Sequence, residues 1–313
     1  MSRLQEKKKK RGRWWKIPLL FVSILIAAGG IYLFTVYNGA KATVDKKMNE
    51  EVASIDHELT EKKVQDKEPL NILLLGVDER SNDSGRSDAL MVLSLDPDNN
   101  RSQIVSIPRD TRTEMVGDSS HNGEQDKINH AYAFGGTDMA IQTVENFLDI
   151  DLDYYVRMNM EGLAEMVDAV GGITVQNSLD WQGSNGYHYK KGELNLNGEE
   201  TLGYVRMRYE DPQGDAGRNE RQREVIQGVI EKGASFGSVN KIGDMLDVLG
   251  GNVTTNMDFT VMKDLMLNYG SARKNMTTYQ MTGSGTRIDG IYYLLVSDDE
   301  VNKVRSQIQE YQS

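Results

Sequence analysis

Apolar and polar positions follow three rhythms along this chain. From Ile17 to Tyr37 the run "IPLLFVSILIAAGGIYLFTVY" holds 21 uncharged residues, which as a helix rising about 1.5 Å per residue matches the hydrocarbon thickness of a bilayer. From Lys41 to Glu68 the chain is charged and free of glycine and proline, with Val44, Met48, Val52, Ile55 and Leu59 spaced by three and four. That spacing predicts a stalk helix with one apolar stripe, packed on its own domain and ended by Pro69. After it come short runs rich in Leu, Ile and Val, "LNILLLGVD", "ALMVLSLD" and "QIVSIPRD", each closing on an Asp-bearing turn as buried strands do.

Patterns of helical period follow in "TDMAIQTVENFLDI", "MEGLAEMVDAV", "RNERQREVIQGVIEKGA", "VNKIGDMLDVLGG" and "FTVMKDLMLNYG". Strand candidates "YYVRMN", "GITV", "GYVRMR" and "TTYQMTG" lie between them. Interleaved strands and helices without repeats predict an α/β class fold, a three-layer α/β/α domain with its active side at the strand ends. The organisation expected is a basic tail over 1–16, a transmembrane helix over 17–37, the stalk over 38–69 and one domain over 70–313.

Charge sharpens this picture. The first sixteen residues carry eight Lys or Arg against one Glu, leaving 28 basic and 46 acidic residues in the remainder. The basic cluster before the apolar run, with Trp14, Trp15, Tyr32 and Tyr37 near its ends, places the N-terminus in the cytoplasm and the domain outside. A cleaved signal peptide is the rival reading, but the apolar run is longer than a usual signal core. A strongly acidic body repels nucleic acid, and sixteen cytoplasmic residues are too few for a helix-turn-helix, so nucleic-acid binding is excluded. The absence of cysteine excludes lipoprotein acylation, thiolate catalysis and Cys-based zinc sites.

Against that acidic background, "RYEDPQGDAGRNERQRE" gathers Arg208, Arg218, Arg221 and Arg223, with Arg206 just upstream. As a strand, "YVRMR" sends Arg206 and Arg208 from one face, and in the following helix Asp215, Arg218, Arg221 and Gln222 share one side. Converging guanidinium groups call for a multivalent anion such as diphosphate, unless each pairs with Glu210, Asp211, Glu220 or Glu224 in a solvated lattice. "GVDERSNDSGRSD" adds Asp78, Arg86 and Asp88, and "SIPRD" adds Arg109 and Asp110. Carboxylates on a turn beside phosphate-binding arginines suit Mg²⁺, although a plain surface turn has the same composition. Lys127 and Asn129 can reach the same place, or Asn129 caps the helix that starts at His130. The four histidines show no metal-ligand spacing, and GxxxxGK[ST] and GxSxG are both absent. Residues 178–198, with Trp181, Tyr187 and Tyr189, read either as a flap that stacks on sugar rings or as a surface hairpin.

The blocks "LLLGVDER", "RSDALMVLSLD", "VSIPRDT", "KINHAYAFGG", "VDAVGGITV", "LNGEETLGYVRMR" and "DAGRNERQREVI", in this order behind a basic N-terminus and one apolar span, resemble the LytR-CpsA-Psr family of cell-wall assembly enzymes, in its wall teichoic acid ligase branch. The resemblance covers nearly all of the chain from residue 70 onward. It implies a membrane-anchored phosphotransferase that takes a glycopolymer from undecaprenyl diphosphate and joins it to the C6 hydroxyl of peptidoglycan N-acetylmuramic acid. It also implies an α/β/α domain with a central mixed sheet and a long apolar pocket for the polyprenyl tail. By position, Asp78 and Asp88 match the family's Mg²⁺ carboxylates, a pair that Mn²⁺ also suits. Arg86, Arg109, Lys127, Arg206, Arg208, Arg218 and Gln222 match its diphosphate ligands. Asp215 matches an acidic residue near the reacting phosphate, so that Asp88, Arg109, Asp215 and Arg218 form the implied catalytic set. Rival functions are a lipid diphosphate pyrophosphatase and a non-enzymatic membrane regulator or polymer-binding protein. Transfer and hydrolysis differ only in the hydroxyl that attacks.

Overall fold

In the computed structural model, residues 34–78, 85–208, 210–233 and 249–312 are described. The three predicted apolar runs form β1 (Leu70–Val77), β2 (Ser87–Asp96) and β3 (Arg101–Ile107), each buried along most of its length. They are successive antiparallel neighbours, with Leu75 opposite Leu90 and Leu90 opposite Ile107. The β2–β3 turn is closed by Asp96, whose carboxylate accepts from Asn99 and from Arg101 Nε at 2.7 Å. Because β2 runs against its neighbours, the ends of β1 and β3 meet the start of β2 at one edge. That edge carries Asp78, Arg86, Asp88, Arg109 and Asp110.

Three more strands complete the sheet: β6 (Tyr154–Asn159), β11 (Val253–Thr255) and β12 (Asn275–Gln280). The order is β11-β6-β1-β2-β3-β12, with β6 parallel to β1 and β12 parallel to β3, so the sheet is mixed. Helices cover both faces. On one, α2 (His130–Leu148) and α7 (Asp298–Glu310) bury Ile141, Val144, Val304 and Ile308 against Leu73, Leu75, Val92 and Val105. On the other, α1 (His57–Asp66), α5 (Asp215–Gly233) and α6 (Phe259–Asn268) bring Val64, Ile226 and Val261 against Ile72, Met91, Ile104 and Tyr154. Alternate residues of each strand thus feed two different cores, which explains why the strands read as nearly continuous apolar runs.

A satellite core lies beside the sheet. It joins α3 (Met160–Ala169), α4 (Gly198–Arg206) and the ladder of β7 (Ile173–Asn177) with β10 (Gly192–Leu196) through Val167, Ile173, Val175, Leu196 and Tyr204. Small two-stranded ladders complete the fold: β4 (Arg112–Glu114) with β5 (Gln125–Lys127), β8 (Trp181–Gln182) with β9 (His188–Tyr189), and β13 (Ser284–Ile288) with β14 (Ile291–Leu295).

Three expectations change. "GYVRMR" is not a strand. Asn197 and Glu200 form a reciprocal capping box that starts α4, and Thr201, Tyr204 and Val205 form its buried face at i, i+3 and i+4. Arg206 and Arg208 therefore do not leave one face of a strand. The segment from Lys41 to Glu68 is not one helix: residues 34–43 are helical, Val44–Met48 widen into a π-turn, and α1 begins only at His57. The break lets Glu50 donate its amide to Thr255 at the sheet edge (2.8 Å) and sends Val44 and Met48 against Leu249 and Val253. Trp181 and Tyr189 are buried, with rings stacked 4.6 Å apart, so they form core and not a sugar platform. The predicted span lies outside the described residues except for its last four positions, and "VNKIGDMLDVLGG" lies mostly outside them. No helix among the described residues is long and apolar enough to cross a membrane.

Candidate active site

Arg109, just beyond β3, is the hub of the site. Its guanidinium donates to Asp88 Oδ1 at 2.7 Å and lies 3.9 Å from both Asp110 and Asp215. Asp110 in turn accepts from Lys127 Nζ at 2.8 Å, carried there by β5. Asp215, the first residue of α5, offers Oδ1 to Arg218 at 2.6 Å and to Arg208 at 3.7 Å. Three guanidinium groups from three parts of the chain thus share one carboxylate oxygen. Asp78, Arg86, Asp88, Arg109, Asp110, Lys127, Asn129 and His130 line one polar pocket of about 690 Å³, open mouth included.

The two central arginines differ electrostatically. Burial works against the Arg109 cation, but Asp88, Asp215 and Asp110 outweigh it and raise its pKa. Arg218 is lowered, first by burial, to which Arg109 and Arg208 add repulsion, and the attraction of Asp215 and Asp88 does not make up the sum. Arg218 Nε and Nη2, Arg109 Nε and Gln222 Oε1 are buried with no hydrogen-bond partner among the described residues; Arg218 Nη2 touches Asp215 without the alignment of a hydrogen bond. The three desolvated arginine donors are costly unless an anion rich in acceptor oxygens joins them, whereas Gln222 Oε1 is an acceptor and calls for a donor.

A second, apolar pocket of about 610 Å³, open mouth included, adjoins α3 and α5 and is lined by Leu74, Gly76, Ala89, Met91, Val156, Leu163, Val205 and Ile226. Gln222 lines it too, one helical turn beyond Arg218. Helix α5 therefore borders both the apolar space and the charged network. Gly76 lies opposite Ala89 in the β1–β2 pair, and a Cβ there would come 2.9 Å from the Ala89 methyl, so glycine keeps that wall thin.

Most of the expected site residues come together here, but not all. Arg206 is exposed at the end of α4 and lines a separate groove with Trp181, Asn185 and Arg208. Arg208 borders that groove and also reaches Asp215. Arg221 turns away to a buried pair with Asp211 at 2.6 Å and to the carbonyls of Tyr204 and Met207. For that arginine the expected pairing with Asp211 holds, but as a buried pair and not as part of a solvated lattice. Arg223 is likewise internal, donating to Ser106 and Gln280. Asn129 does not cap α2: its backbone is helical and its side chain makes no capping bond. His130 escaped the sequence reading because only metal-ligand spacings were sought among the histidines.

As a metal site, Asp78 and Asp88 supply the hard oxygens that Mg²⁺ takes, although Asp88 is also bonded to Arg109. No three His, Asp or Glu residues cluster compactly among the described residues. A pair of carboxylates fits an ion whose remaining positions go to phosphate oxygens and water.

The LytR_cpsA_psr family model matches residues 31–310. The chain belongs to the LytR-CpsA-Psr family. Within it, the chain is 45% identical over 306 residues to the polyisoprenyl-teichoic acid–peptidoglycan teichoic acid transferase TagU of Bacillus anthracis, covering 96% of this chain and 99% of that protein. The Bacillus subtilis protein of the same name is 42% identical over 312 residues, covering 97% and 98%. The crystal structure of B. subtilis TagU superposes with a TM-score of 0.65 at 42% identity, over 79% of this chain and 97% of that one. This family member shares with that structure the mixed α/β fold built on a central sheet.

Proposed function

We propose that the chain is a phosphotransferase that moves an anionic glycopolymer, wall teichoic acid, from undecaprenyl diphosphate to the C6 hydroxyl of peptidoglycan N-acetylmuramic acid, releasing undecaprenyl phosphate. One observation carries this reading: α5 places Arg218 in a charged network and Gln222, one turn on, in an apolar pocket. A lipid diphosphate has the same two parts in the same order. The names of the relatives at 45% and 42% identity support the same chemistry.

Arg109, Arg218 and Lys127 would bind the diphosphate and hold the charge that builds on the leaving oxygen as the P–O bond breaks, already oriented and poorly hydrated. Asp78 and Asp88 would hold Mg²⁺ or Mn²⁺, which supplies charge neutralisation at the phosphate oxygens. The apolar span at Ile17–Tyr37 would anchor the enzyme in the cell membrane, with its N-terminus in the cytoplasm and residues 70–313 outside, beside both lipid donor and peptidoglycan.

The test is a reconstitution of the full chain with lipid-linked donor, Mg²⁺ and a muramic-acid-containing oligosaccharide. A phosphodiester-linked product that grows with acceptor concentration at the expense of free polymer phosphate is expected. Hydrolysis alone at saturating acceptor would make the protein a pyrophosphatase instead.

A further inference from the structure

We propose that His130, oriented by Asp126, takes the proton of the attacking hydroxyl in this transfer. The inference rests on the phosphotransferase reading and assigns a role that its phosphate-binding residues leave open.

The imidazole is held on two sides. Its Nδ1 lies 2.8 Å from Asp126 Oδ2, and the ring meets Phe134 edge-on at 5.7 Å between centroids. Asp126 is itself fixed, its other oxygen accepting from the Lys127 amide at 2.7 Å and the Tyr293 hydroxyl at 3.3 Å. Burial would raise the Asp126 carboxyl, but the His130 ring and the Lys127 amide hold it below the usual carboxylate range. With Nδ1 committed, Nε2 is the nitrogen left for the pocket that His130 lines. A carboxylate behind one imidazole nitrogen fixes the tautomer and readies the other as a base.

A second observation points to the same wall. Asn129 is only 4% exposed, lines the same pocket, and has a buried Oδ1 without a hydrogen-bond partner among the described residues. An acceptor in this position suits a neighbouring hydroxyl of the acceptor sugar, which leaves the proton of the attacking hydroxyl to Nε2.

The carboxylates of the pocket are otherwise engaged. Asp88 is bonded to Arg109, Asp110 to Lys127, and Asp215 Oδ1 is the common counter-charge of Arg109, Arg208 and Arg218. Asp78 also has an interaction partner. An oxygen set against cations in this way is poorly placed to collect a hydroxyl proton, whereas the open nitrogen of a neutral imidazole can accept one.

The step balances without a further reactant. The acceptor oxygen forms a bond to the phosphorus that bears the polymer, and the bond from that phosphorus to the bridging oxygen breaks. The electron pair leaves on polyprenyl phosphate, and the hydroxyl proton passes to Nε2 and then to solvent. Charged groups around the ring come from several elements: Asp126 touches it from β5, Lys127, Arg109, Asp110, Asp78, Arg86 and Asp88 line the same pocket, and His121 stacks on the far side of Phe134. Their balance sets where the acid limb of the rate falls.

The experiment is single-turnover transfer by the full chain, measured across pH for wild type, His130→Gln and Asp126→Asn, with binding of the lipid-linked donor measured in parallel. His130→Gln should lower the transfer rate about 100-fold or more, abolish the acid limb and leave donor binding within about twofold, since a neutral base does not bind phosphate through charge. Asp126→Asn, which removes the charge facing Nδ1, should move the acid limb to lower pH. A His130→Gln rate within about threefold of wild type, with the limb unchanged, would overturn the proposal. If His130→Gln fails to fold, an unmoved limb in Asp126→Asn overturns it equally. Failure of the wild-type protein to form any phosphodiester would instead reject the transferase reading.

Discussion

Arg218 and Arg221 stand three residues apart on one helix and have opposite fates. Their spacing alone put them on one face, but residues at i and i+3 differ by about 60° around the axis. That angle sends Arg221 to Asp211 and leaves Arg218 among Arg109, Arg208 and a shared Asp215. Which arginine finds an internal partner depends on the turn at 211–214, closed by the amide of Gly214 on the Asp211 carbonyl with Gly214 at φ 57°. A charge run in a sequence does not disclose that path. The two should separate cleanly under substitution. Arg221→Ala leaves Asp211 buried and unpaired, and should cost about 3–5 kcal/mol in urea unfolding. Arg218→Ala removes a cation already disfavoured by burial, so unfolding should be unchanged or slightly harder while binding of a polyprenyl diphosphate is lost. Equal destabilisation by both, with lipid binding intact in Arg218→Ala, would assign both arginines to the fold.

At the scale of elements, β1 to β3 were legible because residues buried on both faces leave long apolar runs that no solvent-exposed segment imitates. The α4 helix was misread because three residues of alternation, "RMR", were weighed above the "NGEE" that precedes them. That tetrapeptide is the capping box seen between Asn197 and Glu200. The apolar pocket itself was not visible in the residues, since its walls come from three strands and three helices distant in sequence. Ala89 and Gly76, paired across β1 and β2, make its floor. Ala89→Leu should fill part of that space, weakening binding of a full-length polyprenyl donor by about tenfold, the equivalent of roughly 1.4 kcal/mol. Binding of a short-chain diphosphate should change little. If both donors lose affinity equally, the pocket is not where the tail lies.

The molecule as a whole joins a basic, apolar N-terminus to an acidic body, and this division was the clearest signal in the sequence. Protease added to intact protoplasts should digest the region beyond residue 38 and spare a tag at residue 1, as the Lys and Arg before Ile17 require. Protection of the large domain would reverse the orientation and remove the enzyme from its proposed acceptor. The fold class followed from interleaved patterns, whereas the convergence of the charged residues followed from antiparallel pairing of β2, which no local pattern specifies. The position of α5 between the charged network and the apolar pocket also bears on turnover. On the proposed function the released polyprenyl monophosphate would keep the whole tail and half of the original head, so the grip that selects the donor would also retain the spent carrier. An enzyme built this way would be inhibited by its own product, and its pace would be set by how quickly the bilayer reclaims that lipid and recycling keeps its concentration low.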